Sequence, residues 1–188
     1  MDSSRIQTLL SAHSLYDLTM ADGRARDALA AIPGEELAAE LRTVIVDDSL
    51  AHEVRFKACE TALSLPSIDL DEAARAAAAM VYAREMGDGA THTIWGLPGR
   101  PSSIARHLLG LGEAAVVPAL RPLLADQRSL TYEGSQEPTL SRARNYRVAD
   151  LAGSLLATLL NKPFPADAVD PSTRDRALTE LREASWRF

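Results

Sequence analysis

Three arginines fall within six positions, Arg142, Arg144 and Arg147. A guanidinium is planar, always charged, and presents its donors in a rigid fork. A cluster of them grips a carboxylate or a phosphate. The same stretch supplies Tyr132, Glu133, Glu137 and Tyr146, and Tyr with Arg is the pairing enriched at binding hot spots. The competing reading is a solvated loop whose arginines pair with Glu133, Glu137 and Asp150. A second group, His92, Trp95 and Arg100, has the residue types to line a pocket. Its competing reading is that Trp95 and Leu97 fold back and pin their own loop to the core. Glu85, Asp88, Glu133 and Glu137 are acid/base candidates by type, but nothing in the sequence places them together.

Other chemistries lack their residues. His13, His52, His92 and His107 show no metal-ligand spacing, and the one cysteine, Cys59, cannot supply the usual set. There is no Gly-x-Ser-x-Gly elbow and no Gly-x-x-x-x-Gly-Lys run to cradle phosphates. No catalytic residue, metal or cofactor is assigned. Net charge is −6 with a pI near 5.2, which disfavours nucleic acid, since that partner needs a basic surface. An acidic surface suits a basic protein or peptide.

A chain of 188 residues with 46% hydrophobic content is long enough for one domain with a sizeable core, here 1–188. Aromatics are only 5% while Ala and Leu abound, and both are strong helix formers. A lone Cys59 in an apolar helical pattern reads as a small core residue in a reducing compartment. The N-terminus has no basic segment ahead of an apolar run, and no run reaches the roughly 20 residues that span a bilayer. A cytoplasmic location with no membrane contact is the expectation.

These residues must be held by helices. Apolar periodicity predicts helices over 6–13, 22–32, 35–45, 51–65, 69–86, 101–112, 113–125, 146–161 and 170–186. Ser4 and its neighbours offer N-cap oxygens, Asp69 is read as the cap of the Ala-rich helix, and Asp170–Pro171 is a cap and first-turn pair. Pro118 is placed near a first turn and Pro122 at a kink. Gly153 inside the best-patterned helix costs about 1 kcal/mol against Ala, which a close helix crossing would explain. Between helices lie two long loops, 87–101 and 126–145. No alternating strand pattern is found.

Two stretches repeat one plan. Gly112, Ala115, Val116, Pro118, Ala119 and Leu120 open one, an Asp126 turn follows, and a second helix begins at Tyr146-Arg147. The earlier version has Asp47 and Asp48 in the turn and then Val54-Arg55. This pattern resembles HEAT-like helical repeats, with one extra residue before the proline and an insertion the family normally lacks. The texture of a tryptophan loop with a tyrosine insertion looks like that of bacterial HEAT-like proteins. The resemblance implies an all-α superhelix, here of about eight or nine helices, whose stacked pairs make a curved binding surface. It is almost silent on function.

The expectation is therefore a non-catalytic binding scaffold of adaptor or immunity type. It would use the 87–101 and 126–145 loops to hold a protein or peptide. The alternative is a small-ligand protein or enzyme with a pocket beneath the Trp95 loop; if both loops lie on one edge of the stack, they would share a pocket.

Overall fold

The computed structural model describes residues 4–20 and 22–184. Helix accounts for 66% of the protein and strand for 3%, so the chain is mostly helical with one small hairpin. The described residues form eleven α-helices, two more than the periodicity predicts. By contacts the chain divides into two compact units, Met1–Val81 and Tyr82–Phe188.

The first unit holds α1 (Arg5–Ala12), α2 (Leu15–Thr19), α3 (Arg26–Ala30), α4 (Gly34–Val46) and α5 (His52–Leu63), followed by the start of α6 (Glu72–Asp88). Ser4 caps α1 by accepting from the Gln7 amide. Helix α2 is one of the two unpredicted helices. Ser14 accepts from the Asp17 amide and Asp17 reaches back to the Ser14 amide, a reciprocal cap that starts even a five-residue helix. Helix α4 buries Leu37, Ala38, Leu41, Val44 and Ile45, the stripe that its sequence spacing demands. It packs on α5, which α1 and α2 also touch. Surrounded in this way, α5 buries every residue from Phe56 to Ala62, with Cys59 fully inside. Asp71, not Asp69, caps α6: its Oδ1 accepts from the Ala74 amide at 2.8 Å, while Asp69 pairs with Arg75. Met80 of α6 is exposed despite its apolar side chain.

The second unit continues with a 3-10 turn at Thr93–Trp95 and the strands β1 (Gly96–Leu97) and β2 (Arg100–Pro101). Helices α7 (Ser103–Gly110) and α8 (Glu113–Leu120) come next, then a 3-10 segment at Arg121–Ala125. Helices α9 (Gln136–Arg144), α10 (Val148–Leu159) and α11 (Pro171–Glu183) complete it. Helix α10 is the hub. All ten residues from Val148 to Ala157 are buried, because α7, α8, the 3-10 segment and α11 all pack on it. A helix apolar on nearly every side belongs inside, and its two buried polar side chains, Asp150 and Ser154, are hydrogen-bonded.

The prolines act differently from expectation. Pro118 lies inside α8, beyond its first turn, where it cannot donate to the Ala114 carbonyl; its exposed position leaves that carbonyl near solvent. Pro122 marks not a kinked α-helix but the change to the tighter 3-10 segment. The expectation at Asp170 and Pro171 holds, with Asp170 Oδ1 accepting from the Ser172 amide at 3.0 Å. Trp186, placed at the end of the last helix by its pattern, lies outside the described residues. No single helix among the described residues is long and apolar enough to cross a membrane.

Candidate functional site

Neither long loop is structureless. Segment 87–101 folds into the 3-10 turn and the β1–β2 hairpin, whose register pairs Gly96 with Pro101 and Leu97 with Arg100. Gly96 has φ +78°, and a Cβ there would lie 2.3 Å from the Arg100 carbonyl oxygen, so only glycine closes this hairpin. Segment 126–145 contains the second unpredicted helix, α9. Glu137 sits in its first turn, Arg142 and Arg144 in its last, and Asn145 ends it in the left-handed conformation. These placements follow the helix dipole and the usual C-terminal cap.

The two segments meet. The His92 backbone amide donates to the Thr131 carbonyl at 2.6 Å, and the Thr131 amide donates back to His92 Nδ1 at 3.0 Å. His92 Nε2 lies 3.1 Å from the Met86 carbonyl. An amide only donates and a carbonyl only accepts, so the ring is neutral with its proton on Nε2. Burial holds its pKa below the usual imidazole value. Next along, Tyr132 Oη donates to the Gly96 carbonyl at 2.9 Å, and the Glu133 amide donates to Thr93 Oγ1 at 2.8 Å. Trp95 is fully buried, with its ring edge-on to Tyr82 at 5.8 Å. Burial pushes the Tyr132 phenol well above its ordinary range.

Behind α9 lies a buried ionic cluster. Asp150 is completely buried. Its Oδ2 accepts from the Arg147 amide at 2.9 Å and from Arg147 Nε at 3.1 Å. Its Oδ1 accepts from Arg147 Nη2 at 2.9 Å. Arg147 also donates to Gln127 at 2.6 Å and to Asp175 at 2.7 Å. Arg174, equally buried, places Nε 3.1 Å from Asp150 Oδ1, close enough for charge attraction although the N–H is not aimed at the oxygen. Its other nitrogens donate to the carbonyls of Ala168 and Arg144. Its guanidinium sits 5.3 Å from the centre of the Tyr146 ring, and Tyr146 Oη donates to the Ala166 carbonyl at 2.9 Å. One cation thus ties the end of α9, the 162–169 connection and α11 to the hub.

The ten residues singled out by type are therefore divided. His92, Trp95, Tyr132 and Tyr146 are interior and hold the segments in place. Arg147 is engaged by two carboxylates. Arg100, Glu133 and Arg142 are exposed, and Glu137 and Arg144 are half-buried. Arg142 donates back to the Pro138 carbonyl of its own helix at 3.2 Å. A cavity of about 130 Å³ between α9 and the preceding strand-like segment is lined by Ser129, Leu130, Ser141, Arg142, Asn145 and Tyr146. That is room for a few waters or a very small anion.

The residue that the reading missed is Arg174. It lies three, four and seven positions before Ala177, Leu178 and Leu181, the inward stripe of α11. An arginine on an apolar stripe is a signal of a buried partner. Among the described residues, no group of three His, Cys, Asp or Glu side chains is placed to hold a metal ion. Compared with protein-family models, curated proteins and solved structures, the chain finds no match.

Proposed function

We propose that this chain is a non-catalytic scaffold of HEAT-like design that binds a protein or peptide. The face it uses is formed by 87–101 and 126–145. The observation that supports this is the pairing of the two segments through His92, Thr131, Tyr132 and Gly96. Their backbone polar groups and rings are used internally, which fixes the surface. Arg100, Glu133, Arg142 and the apolar Leu140 remain outward-facing. A surface already ordered loses little freedom on binding, and mixed charge beside an apolar residue is typical of an interface rim.

The HEAT-like reading draws support from parallel details. Helix α4 packs with α5, and α8 and its 3-10 extension pack with α10. In both pairs an arginine at the start of the second helix reaches back across the connection. Arg55 donates to the Ile45 carbonyl at 2.8 Å, and Arg147 to Gln127. A reducing, cytoplasmic setting suits the single buried Cys59.

A pocket beneath the Trp95 loop is less well supported, since the indole itself fills that interior. A nucleic-acid role through Arg142, Arg144 and Arg147 is weaker still, with Arg147 neutralised by Asp150 and Asp175.

The test uses exposed residues only, so that the fold is preserved. Wild type and a variant carrying Arg100→Ala, Glu133→Ala, Leu140→Ala and Arg142→Ala are used to capture partners from lysate at low and high salt. The expected result is a protein retained by wild type, lost by the variant, and weakened by salt. Identical retention by both forms, or no retention by wild type above an unrelated acidic control, overturns the proposal.

A further inference from the structure

The cavity of about 130 Å³ at the end of α9 is lined by a serine that behaves unlike other helical hydroxyls of the chain. Thr139, Ser154 and Thr158 each donate to a backbone carbonyl three or four residues back, the common local partner for such a group. Ser141 is buried, at 5% exposure, yet among the described residues its hydroxyl has no partner. Nor is that oxygen sealed from solvent, as Thr61 Oγ1 is. It opens into the cavity that Ser141 lines. A buried polar group without a bond in a native structure is explained by what fills the space beside it.

The rest of the lining points to a negatively charged acceptor. Arg142 uses its Nε on the Pro138 carbonyl at 3.2 Å, and among the described residues its terminal nitrogens have no partner. Ser129 and Asn145, both exposed, bring a hydroxyl and an amide to the same lining. All of these groups can donate, and the guanidinium can only donate. The lining contains no Asp or Glu. Glu137, one turn back on α9, lies at the opposite end of the helix, where a Cβ on Gly134 would stand 3.8 Å from its Oε2. The negative end of the α9 dipole would oppose an anion, but its last carbonyls are occupied. Those of Ser141 and Arg142 accept from the Tyr146 and Asn145 amides. Those of Arg144 and Asn145 accept from the buried cation Arg174. The volume is well below the about 300–1,000 Å³ of ordinary ligand pockets, so it fits the end of one side chain better than a whole small molecule.

We infer that this cavity receives an oxyanion-bearing side chain of the partner, held by Arg142, Ser141, Ser129 and Asn145. The inference rests on the proposed binding face, to which Arg142 belongs, and names what the partner presents there. That contact is acidic, although the chain as a whole carries −6. The carboxylate of a glutamate and the phosphoryl group of a phosphoserine offer the same chemistry.

The test is an amide NMR titration of the full chain at constant pH and ionic strength. The probes are three tripeptides blocked at both ends, with glutamate, phosphoserine or, as the neutral control, glutamine between two glycines. The expected result is saturable shifts at the amides of Ser129, Ser141, Arg142 and Asn145 with an acidic peptide, and none with the glutamine peptide. The tighter acidic peptide identifies the oxyanion. Arg142→Gln should weaken binding about tenfold, the scale of a lost charged hydrogen bond. Ser141→Ala keeps every charge and should weaken it about fivefold. Arg144→Gln removes a neighbouring cation that does not line the cavity and should matter far less. Acidic peptides that leave these amides unshifted, equal binding of the glutamine peptide, Ser141→Ala at wild-type affinity, or Arg144→Gln as damaging as Arg142→Gln overturns the inference. The titration needs no partner protein, so its failure strikes the cavity alone, whereas failed capture from lysate strikes the face.

Discussion

Arg174 Nε lies 3.1 Å from Asp150 Oδ1, and both side chains are completely buried. A charge pair withdrawn from water is stable only when its remaining polar atoms are also served. Here they are. Asp150 takes three hydrogen bonds from Arg147, and Arg174 donates to the Arg144 and Ala168 carbonyls. The cluster joins α9, α10 and α11, and so underlies the proposed binding face.

Removing one partner of such a pair strands the other. Arg174→Met should cost about 3–5 kcal/mol of stability, read by urea unfolding. Replacing both charges, Arg174→Met with Asp150→Leu, should cost less than the sum of the single changes, because no charge is left alone. A single variant within about 1 kcal/mol of wild type would show that the pair is not structural.

Gly153 tests packing against propensity. A Cβ there would come within 2.4 Å of Leu178 Cδ2 and 3.0 Å of Phe164 Cε2. Helix propensity alone predicts that Gly153→Ala gains about 1 kcal/mol. Overpacking a filled core costs about 1–3 kcal/mol, and Leu178 is buried and has little room to turn. The net expectation is destabilisation by roughly 1 kcal/mol, and Gly153→Ala should cost less in a Leu178→Ala background than in wild type, because the clash is then relieved. A Gly153→Ala variant that melts higher than wild type would refute the close crossing.

The sequence carried more of this fold than of the site. Apolar periodicity marks α4 because burial of a stripe leaves a regular trace, and α10 is marked by the length of its apolar run. Of the two helices outside that periodicity, α2 is too short to show a period and α9 is polar, and their traces are in the caps: Ser14 with Asp17, and Asn145 after Arg142 and Arg144. The site was legible by residue type only. Type cannot say whether His92, Tyr132 and Tyr146 face solvent or hold the fold, since a ring with a polar tip suits either place. Their partners are backbone carbonyls and amides, groups that every residue has and that leave no mark in sequence. The pairing of His92 with Thr131 spans 39 positions, beyond any local pattern.

His92 should make stability depend on pH. Its pKa in the fold lies below the unfolded value, first because burial disfavours the charged ring. The unfolded value is about 6.5. In the window below it the unfolded chain binds the extra proton, so stability falls as pH drops through that window. It levels off once the folded-state pKa is passed. Above about pH 6.5 the contribution is fully present. Nearby Asp126 and Arg128 oppose each other at the ring, leaving burial in control. Unfolding measured from about pH 7.5 to about pH 5 should show this slope, and His92→Gln should flatten it. An unchanged slope in His92→Gln would assign the effect to another group.

Cys59 offers a probe of the first unit. It is fully buried on α5, and burial raises its thiol pKa well above the ordinary value. The thiolate is the reactive form, so native protein should react with Ellman's reagent only through opening events. Labelling should be slow in buffer, rise with urea in step with unfolding, and reach one thiol per chain when denatured, since the chain has a single cysteine. Phe56→Ala, which removes a buried neighbour on the same helix, should accelerate labelling in the absence of denaturant. Prompt stoichiometric labelling of the native wild type would mean that α5 is not the enclosed helix its burial describes.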